Sequence, residues 1–318
     1  MARSPASPAS PALPAAAGDA DRTRPHVAVD LVRSLRPAQW IKNLLVFAGL
    51  IFGEKLGDPA SVARASLAFA VFCLLSSAIY LINDVLDREA DRRHPVKSRR
   101  PIASGVVSVS AALTTAVVLI GASLAGAFEI NRAFGLVASS YLVLNALYSL
   151  SLKHIVILDV ITLAGGFVLR AYGGAVAISV VFSHWLLLLT LLLALFLALS
   201  KRRAELVALA DEASDHRPSL AHYSPYLLDQ MIGVVTASTL LAYAFYTISP
   251  ETVQKFHTDR LLLTVPFPLY GIFRYLYLVH KRDGGGNPSE MLLTDLPLLV
   301  CVALWGAAVI VILYTPWL

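Results

Sequence analysis

The chain has 318 residues; 57% are hydrophobic, only 15% are charged, and the formal net charge is +5. Soluble domains carry roughly a quarter charged residues. Long uncharged runs with charges confined between them exclude an ordinary soluble globule and predict an all-α, polytopic protein of the membrane bilayer. The net charge does not argue for a nucleic-acid partner, and none is expected; in such a chain the placement of the charges is informative.

Residues 1–30, MARSPASPASPALPAAAGDADRTRPHVAVD, are rich in Ala, Pro and Ser and lack the apolar core of a signal peptide. They read as a disordered cytoplasmic tail before one transmembrane domain over 31–318. Nine apolar segments follow: a short one at 41–52, then 65–82, 106–128, 133–151, 155–178, 185–200, 231–248, 261–277 and 296–314. Most approach the roughly 20 residues that cross a bilayer as a helix. Pro266 and Pro268 predict a bend in the eighth. Cys73 and Cys301 lie inside apolar runs without metal-type spacing and read as buried thiols.

Basic residues collect in alternate connections. Arg33, Arg36 and Lys42 accompany the start of the first segment; Lys97, Arg99 and Arg100 lie between the second and third; Lys153 and His154 between the fourth and fifth; Lys201, Arg202 and Arg203 after the sixth; Lys281 and Arg282 after the eighth. The other connections hold few basic residues and several acids. The positive-inside rule then places the N-terminus and the basic connections of this cell-membrane protein in the cytoplasm, with the C-terminus outside.

The densest charge is NDVLDREADRRHPVKSRR at 83–100, where the second segment ends. Asn83, Asp87 and Asp91 are four residues apart, and Asp84 stands three before Asp87, so a helix would carry all four on one side. Hard oxygen ligands followed by basic residues suit a Mg²⁺–diphosphate complex, because Mg²⁺ keeps substrate phosphates and waters in its shell. Asn83, Asp84, Asp87 and Asp91 are the candidate metal ligands, the three aspartates the candidate catalytic groups, and Lys97 and Arg100 candidate phosphate contacts. The alternative for the basic residues, Arg88, Arg92 and Arg93 above all, is a solvated loop that only sets topology.

N-D-x-x-D-x-x-x-D on the second membrane helix resembles the first signature of the UbiA superfamily of intramembrane prenyltransferases. That resemblance implies nine helices around a central cavity with a cytoplasmic active site. RPAQWIKN (36–43), NDVLDREADRRHPVKSRRPIASG (83–105), YSLSLKH (148–154), a helix over 159–170 and KRRAEL (201–206) are similar to the branch that moves a phosphoribosyl group onto decaprenyl phosphate. The resemblance covers nearly all of the chain after residue 30. It implies phosphoribosyl pyrophosphate and a polyprenyl phosphate as substrates, Mg²⁺ as cofactor, a product that feeds a cell-envelope arabinose donor, and a homo-oligomer.

The chain departs from typical members after the sixth segment, where they carry a second aspartate motif. Here the sequence is KRRAELVALADE, with Asp211 and Asp215 further on. Lys201, Arg202 and Glu205 are therefore candidate substrate contacts. More phosphates in the site call for more cations and fewer carboxylates. Lys42 can reach the cytoplasmic mouth, and Tyr148 and Lys153 sit near the end of the fourth segment. Asp159 and Arg170 are ionisable groups inside the apolar fifth segment, where such groups face the bundle interior and have partners. They are eleven residues apart, too distant to pair with each other, so each is expected to meet another helix or substrate. Glu290 and Asp295 follow a Gly-rich loop, with Leu296 where another polar residue is expected.

The rival enzyme reading is a prenyltransferase that moves an isoprenyl chain onto an aromatic acceptor; the missing second aspartate motif argues against it. A transporter or scaffold is a third reading, opposed by the carboxylate stripe and the lack of an evident inverted repeat.

Overall fold

The computed structural model describes residues 27–209, 218–281 and 288–315. The segment up to residue 26, Asp211, Asp215, Arg282 and the glycines at 284–286 lie outside the described residues, as does the side chain of Glu290. Among the described residues there are helices and turns and no strand.

A short helix, α1 (Val27–Ser34), begins inside the stretch expected to be tail. A 3₁₀ segment (Pro37–Phe47) then runs directly into α2 (Ala48–Phe52). Next come α3 (Pro59–Leu86), α4 (Arg88–Arg93), α5 (Val109–Ile130), α6 (Arg132–Leu150), α7 (Leu158–Ala177) and α8 (His184–Leu209). They are followed by α9 (Pro225–Ile248), α10 (Pro250–Phe256), α11 (Pro266–Lys281), α12 (Pro288–Thr294) and α13 (Leu296–Tyr314). Eight helical spans among the described residues are long and apolar enough to cross a membrane; Pro37–Phe52 is a ninth, shorter apolar element. The expected bend at Pro266 is realised as a helix start: a 3₁₀ turn (Arg260–Thr264) ends and Pro266 opens α11, a position where its missing N–H costs nothing.

Local chemistry sets the other boundaries. Asp58, Ser108, Asn131, Ser224 and Asp295 each accept a hydrogen bond from the first turn of α3, α5, α6, α9 and α13, satisfying N–H groups that a helix leaves unpaired. Asn131 also donates from Nδ2 to the Val176 carbonyl at 3.0 Å, tying the start of α6 to the end of α7. From α5 to α9 each long helix packs on the next in the chain, and α3 packs on α5.

The first crossing differs from the rest. Eleven 3₁₀ residues rise about 2.0 Å each and five α residues about 1.5 Å each. Together they reach about 30 Å, the thickness of the hydrocarbon core, where sixteen α residues would reach about 24 Å. In a 3₁₀ helix residues three apart eclipse, so Trp40, Asn43 and Val46 form one row. That row is the one seated against the bundle. Trp40 Nε1 donates to Ser77 Oγ at 3.0 Å, and Asn43 Nδ2 donates to Cys73 Sγ at 3.2 Å. Val46 is fully buried. Here α7 comes so close that a Cβ on Gly174 would lie 1.9 Å from the Val46 carbonyl oxygen, and one on Gly49 would lie 2.9 Å from Ala175 Cα. Both cysteines are buried and free, as expected.

Candidate active site

Successive crossings run in opposite directions, so the C-terminal ends of α3, α6 and α8 meet the N-terminal ends of α5, α7 and α9 at one end of the bundle. The charged residues gather there. The structure corrects the single continuous stripe. Helix α3 stops at Leu86, Asp87 occupies the junction (φ −89°, ψ 5°), and α4 resumes at Arg88. Arg88 Nε and Arg92 Nε donate to the Ile102 and Ala103 carbonyls at 3.3 and 3.1 Å, anchoring this turn to the loop before α5. Those two arginines are thus structural rather than free topology signals.

Asp84 and Asp91, two turns apart, share a buried side, while Asp87 faces another loop. Arg100 Nη1 lies between the first two, 3.1 Å from Asp84 Oδ1 and 2.6 Å from Asp91 Oδ2. Arg36 Nη2 meets the same Asp84 oxygen at 2.5 Å. Lys153 Nζ is 3.3 Å from Asp87 Oδ1. The Asp84 and Asp91 side chains are only 5% and 4% exposed, against 45% for Asp87, so the two bridged by Arg100 are the desolvated ones. Asn83 is half-buried in the last turn of α3.

Arg36 was not a sequence candidate. Its backbone is left-handed (φ 55°, ψ 59°), a conformation that costs a non-glycine residue about 1–3 kcal/mol and persists only where surroundings enforce it. Its guanidinium packs 4.9 Å from the centre of the Tyr80 ring while it pairs with Asp84. The sequence signal was Arg36-Pro37 opening the first crossing, beside a chain reversal after α1. Arg33, Arg36, Arg99 and Arg100 line a cleft of about 230 Å³ in which Asp84 is the one acidic residue. Lys97, the expected phosphate contact, is not among its lining residues; Arg99 from the same turn is.

A second network lies beside it. Asp159, fully buried at the start of α7, accepts from Arg202 Nε at 2.9 Å and Tyr223 Oη at 2.8 Å, with Ser219 Oγ at 3.5 Å. Arg202 also pairs with Glu205, and Tyr148 stands in the last turn of α6. Lys201 lies 3.7 Å from the other Glu205 oxygen. The Tyr223 hydroxyl meanwhile accepts from the N–H of Ile157, a β-branched residue held at φ 70°. Burial first, and the Asp159 carboxylate beside it, push the Tyr223 hydroxyl well above the usual tyrosine range, so it stays a donor. Asp159 thus meets another helix, as expected, while Arg202, a candidate substrate contact, is 2% exposed and engaged by two carboxylates of its own chain. Arg170 likewise donates to Asn43 Oδ1 at 2.7 Å and Tyr141 Oη at 2.6 Å, with its guanidinium against the Phe167 ring. It meets other helices, as expected, but as a packing partner. Lys42, half-buried one residue before Asn43, feels the charges of Lys201, Arg170 and Arg36. Asp295 caps α13 and takes a two-pronged ion pair from Arg274, a structural role.

Among the described residues no three acidic, His or Cys side chains converge as a ready metal cage. The donor set nevertheless fits Mg²⁺: two buried carboxylates already hold one cationic nitrogen between them, and Mg²⁺ commonly takes one or two protein carboxylates plus phosphate oxygens.

Comparison with known proteins decides the family. The UbiA prenyltransferase family model matches residues 43–294. The chain belongs to that family. Two relatives of this UbiA protein are called decaprenyl-phosphate phosphoribosyltransferase. The Corynebacterium glutamicum protein is 34% identical over 297 residues, covering 91% of this chain and 88% of that one. The Mycolicibacterium smegmatis protein is 36% identical over 296 residues, covering 88% and 92%. A UbiA homologue from Archaeoglobus fulgidus, solved with GPP and Mg²⁺, superposes with a TM-score of 0.70 at 23% identity, covering 88% of this chain and 99% of that one. That likeness carries the UbiA fold: an all-α, multi-pass membrane protein.

Proposed function

We propose that the protein transfers the phosphoribosyl group of phosphoribosyl pyrophosphate to a polyprenyl phosphate, with decaprenyl phosphate the acceptor its relatives' names indicate, releasing pyrophosphate. The observation that carries this reading is the excess of cations. Four arginines line the cleft over a single carboxylate, and Lys153 stands at Asp87. A donor with a diphosphate and a 5-phosphate, meeting a lipid phosphate, brings several anions to one place, which such a site would stabilise. Asp84, Asp87 and Asp91, with Asn83, are the groups that would hold Mg²⁺. Bound there, the metal would supply Lewis-acid stabilisation of the charge on the departing pyrophosphate.

The chain's own residues bind and orient. Arg33, Arg36, Arg99 and Arg100 take phosphate oxygens of the donor. Lys153 and Lys42 approach from the loop after α6 and from the first crossing. The acceptor phosphate oxygen is already an anion, so it attacks the ribose C1 without a general base, on the face opposite the leaving group and with inversion. Positioning a soluble donor beside a lipid headgroup is then the main catalytic contribution. By the positive-inside rule this end of the bundle would face the cytoplasm, with the isoprenoid tail in the membrane and the product serving cell-envelope arabinose-donor synthesis.

The test uses the purified protein in nanodiscs with Mg²⁺, decaprenyl phosphate and phosphoribosyl pyrophosphate, read by mass spectrometry. Phosphoribosylated lipid is expected, and its loss in Asp87→Ala. A prenylated product from a parallel reaction with a prenyl diphosphate and 4-hydroxybenzoate, without phosphoribosylated lipid, would overturn the reading in favour of an aromatic prenyltransferase.

A further inference from the structure

All three aspartates of the stripe are already engaged by cations, and those cations come from three separate parts of the chain. Arg36 precedes the first crossing, Arg100 lies before α5, and Lys153 follows α6. The two most buried carboxylates share one nitrogen of Arg100. Counting Arg33 and Arg99, which line the cleft beside Asp84, five cations therefore stand at or near the three carboxylates. A divalent ion entering alone would have to displace these partners and leave them facing a larger positive charge with no anion to receive them. A divalent ion entering with a diphosphate brings the replacement: guanidinium groups bind phosphate oxygens in the same two-pronged way that they bind carboxylates. The cleft offers the place, since Arg36 and Arg100 both line it beside Arg33 and Arg99.

We infer that Arg36 and Arg100 are exchange residues that occupy the metal-binding carboxylates in the free protein and pass to the donor's diphosphate, so that the site admits metal and diphosphate together and disfavours metal alone. This rests on the reading of Asp84 and Asp91 as divalent-metal ligands. The left-handed backbone of Arg36 fits such a role, because strained residues persist where surroundings over-determine them and are found at switching positions.

The experiment is equilibrium dialysis of the full-length protein in detergent with Mn²⁺ alone, and separately with preformed Mn²⁺–pyrophosphate, retained metal being read by electron paramagnetic resonance. Wild-type protein should retain the complex at least ~10-fold more tightly than the ion. Arg100→Gln should reverse signs, retaining Mn²⁺ alone ~10-fold more tightly than wild type and the complex ~10-fold less; Arg36→Gln should do the same through Asp84. Arg100→Lys, which keeps the competing charge, should hold Mn²⁺ alone within about 2-fold of wild type. If wild type binds the bare ion as tightly as the complex, or Arg100→Gln weakens or leaves unchanged its binding of Mn²⁺ alone, the exchange is refuted. Asp84→Asn separates the underlying reading: both forms should be lost, and full retention of both would show that the carboxylates are not the metal's ligands.

Discussion

Gly174→Ala tests whether the close approach of α7 to the first crossing holds the site together. The added Cβ would lie 1.9 Å from the Val46 carbonyl oxygen, whereas real Cβ contacts essentially never fall under 3.0 Å, so the elements must part by at least about 1.1 Å. Arg170 lies one turn earlier on the same helix, bonded to Asn43 of the same segment at 2.7 Å. Parting by that amount along the bond would take it to about 3.8 Å, beyond hydrogen-bond reach. Overpacking of this kind costs about 1–3 kcal/mol, and a buried donor that loses its partner costs roughly another 1–3 kcal/mol. With 1 kcal/mol moving Tm by ~2–4 °C in a chain of this order of size, a fall of at least about 4 °C is expected in a thermal-shift assay in detergent. Turnover should fall as well, because Lys42 and Asn43 are neighbours on the displaced segment. Gly121→Ala is the control: its Cβ meets nothing within 4 Å, and no loss is expected. A Gly174→Ala protein that melts within about 1 °C of wild type and keeps full activity would refute the argument, since the clash would then be absorbed without consequence.

Asp159→Asn removes one of the two carboxylates that hold the buried Arg202 and should destabilise by about 3 kcal/mol. The melting temperature checks it, and an unchanged value would mean that Glu205 suffices. Lys153→Met should behave differently. Its pair with Asp87 is 20% and 45% exposed, so stability should change by less than ~1 kcal/mol. KM for phosphoribosyl pyrophosphate should still rise about 10-fold in steady-state assays, because the charge lost faces the donor; an unchanged KM would remove Lys153 from the donor site.

Hydropathy made the bundle legible because the bilayer imposes a length and a polarity on each crossing. The carboxylate cluster was legible because hard oxygen ligands at helical spacing are rarely placed at a membrane helix end without use. What stayed hidden depended on partners far along the chain. Tyr223 reaches Asp159 across 64 residues, and Asn43 reaches Arg170 across 127, so no local pattern announces either contact. The basic run 201–203 looked like one feature and is three: Lys201 beside Glu205, Arg202 buried against Asp159, and Arg203 paired with Asp229. Arg36 escaped because an arginine before a membrane segment satisfies the topology rule on its own, and its second role depends on a backbone conformation no pattern encodes. The first crossing looked short because its start was read at residue 41, four residues inside a 3₁₀ segment that begins at Pro37.

That last element works in a reading frame. Three residues make one turn, so Trp40, Asn43 and Val46 share one phase while Gln39 and Lys42 share the next. A single residue inserted after Pro37 would shift the frame by a third of a turn, bringing the lysine's phase onto the one that carries the bonds to Ser77, Cys73 and Arg170. An insertion of three would preserve the phase and lengthen the crossing by about 6 Å. Length changes in this stretch should therefore be tolerated in triplets, whereas the α-helical crossings keep phase only in steps near four or seven.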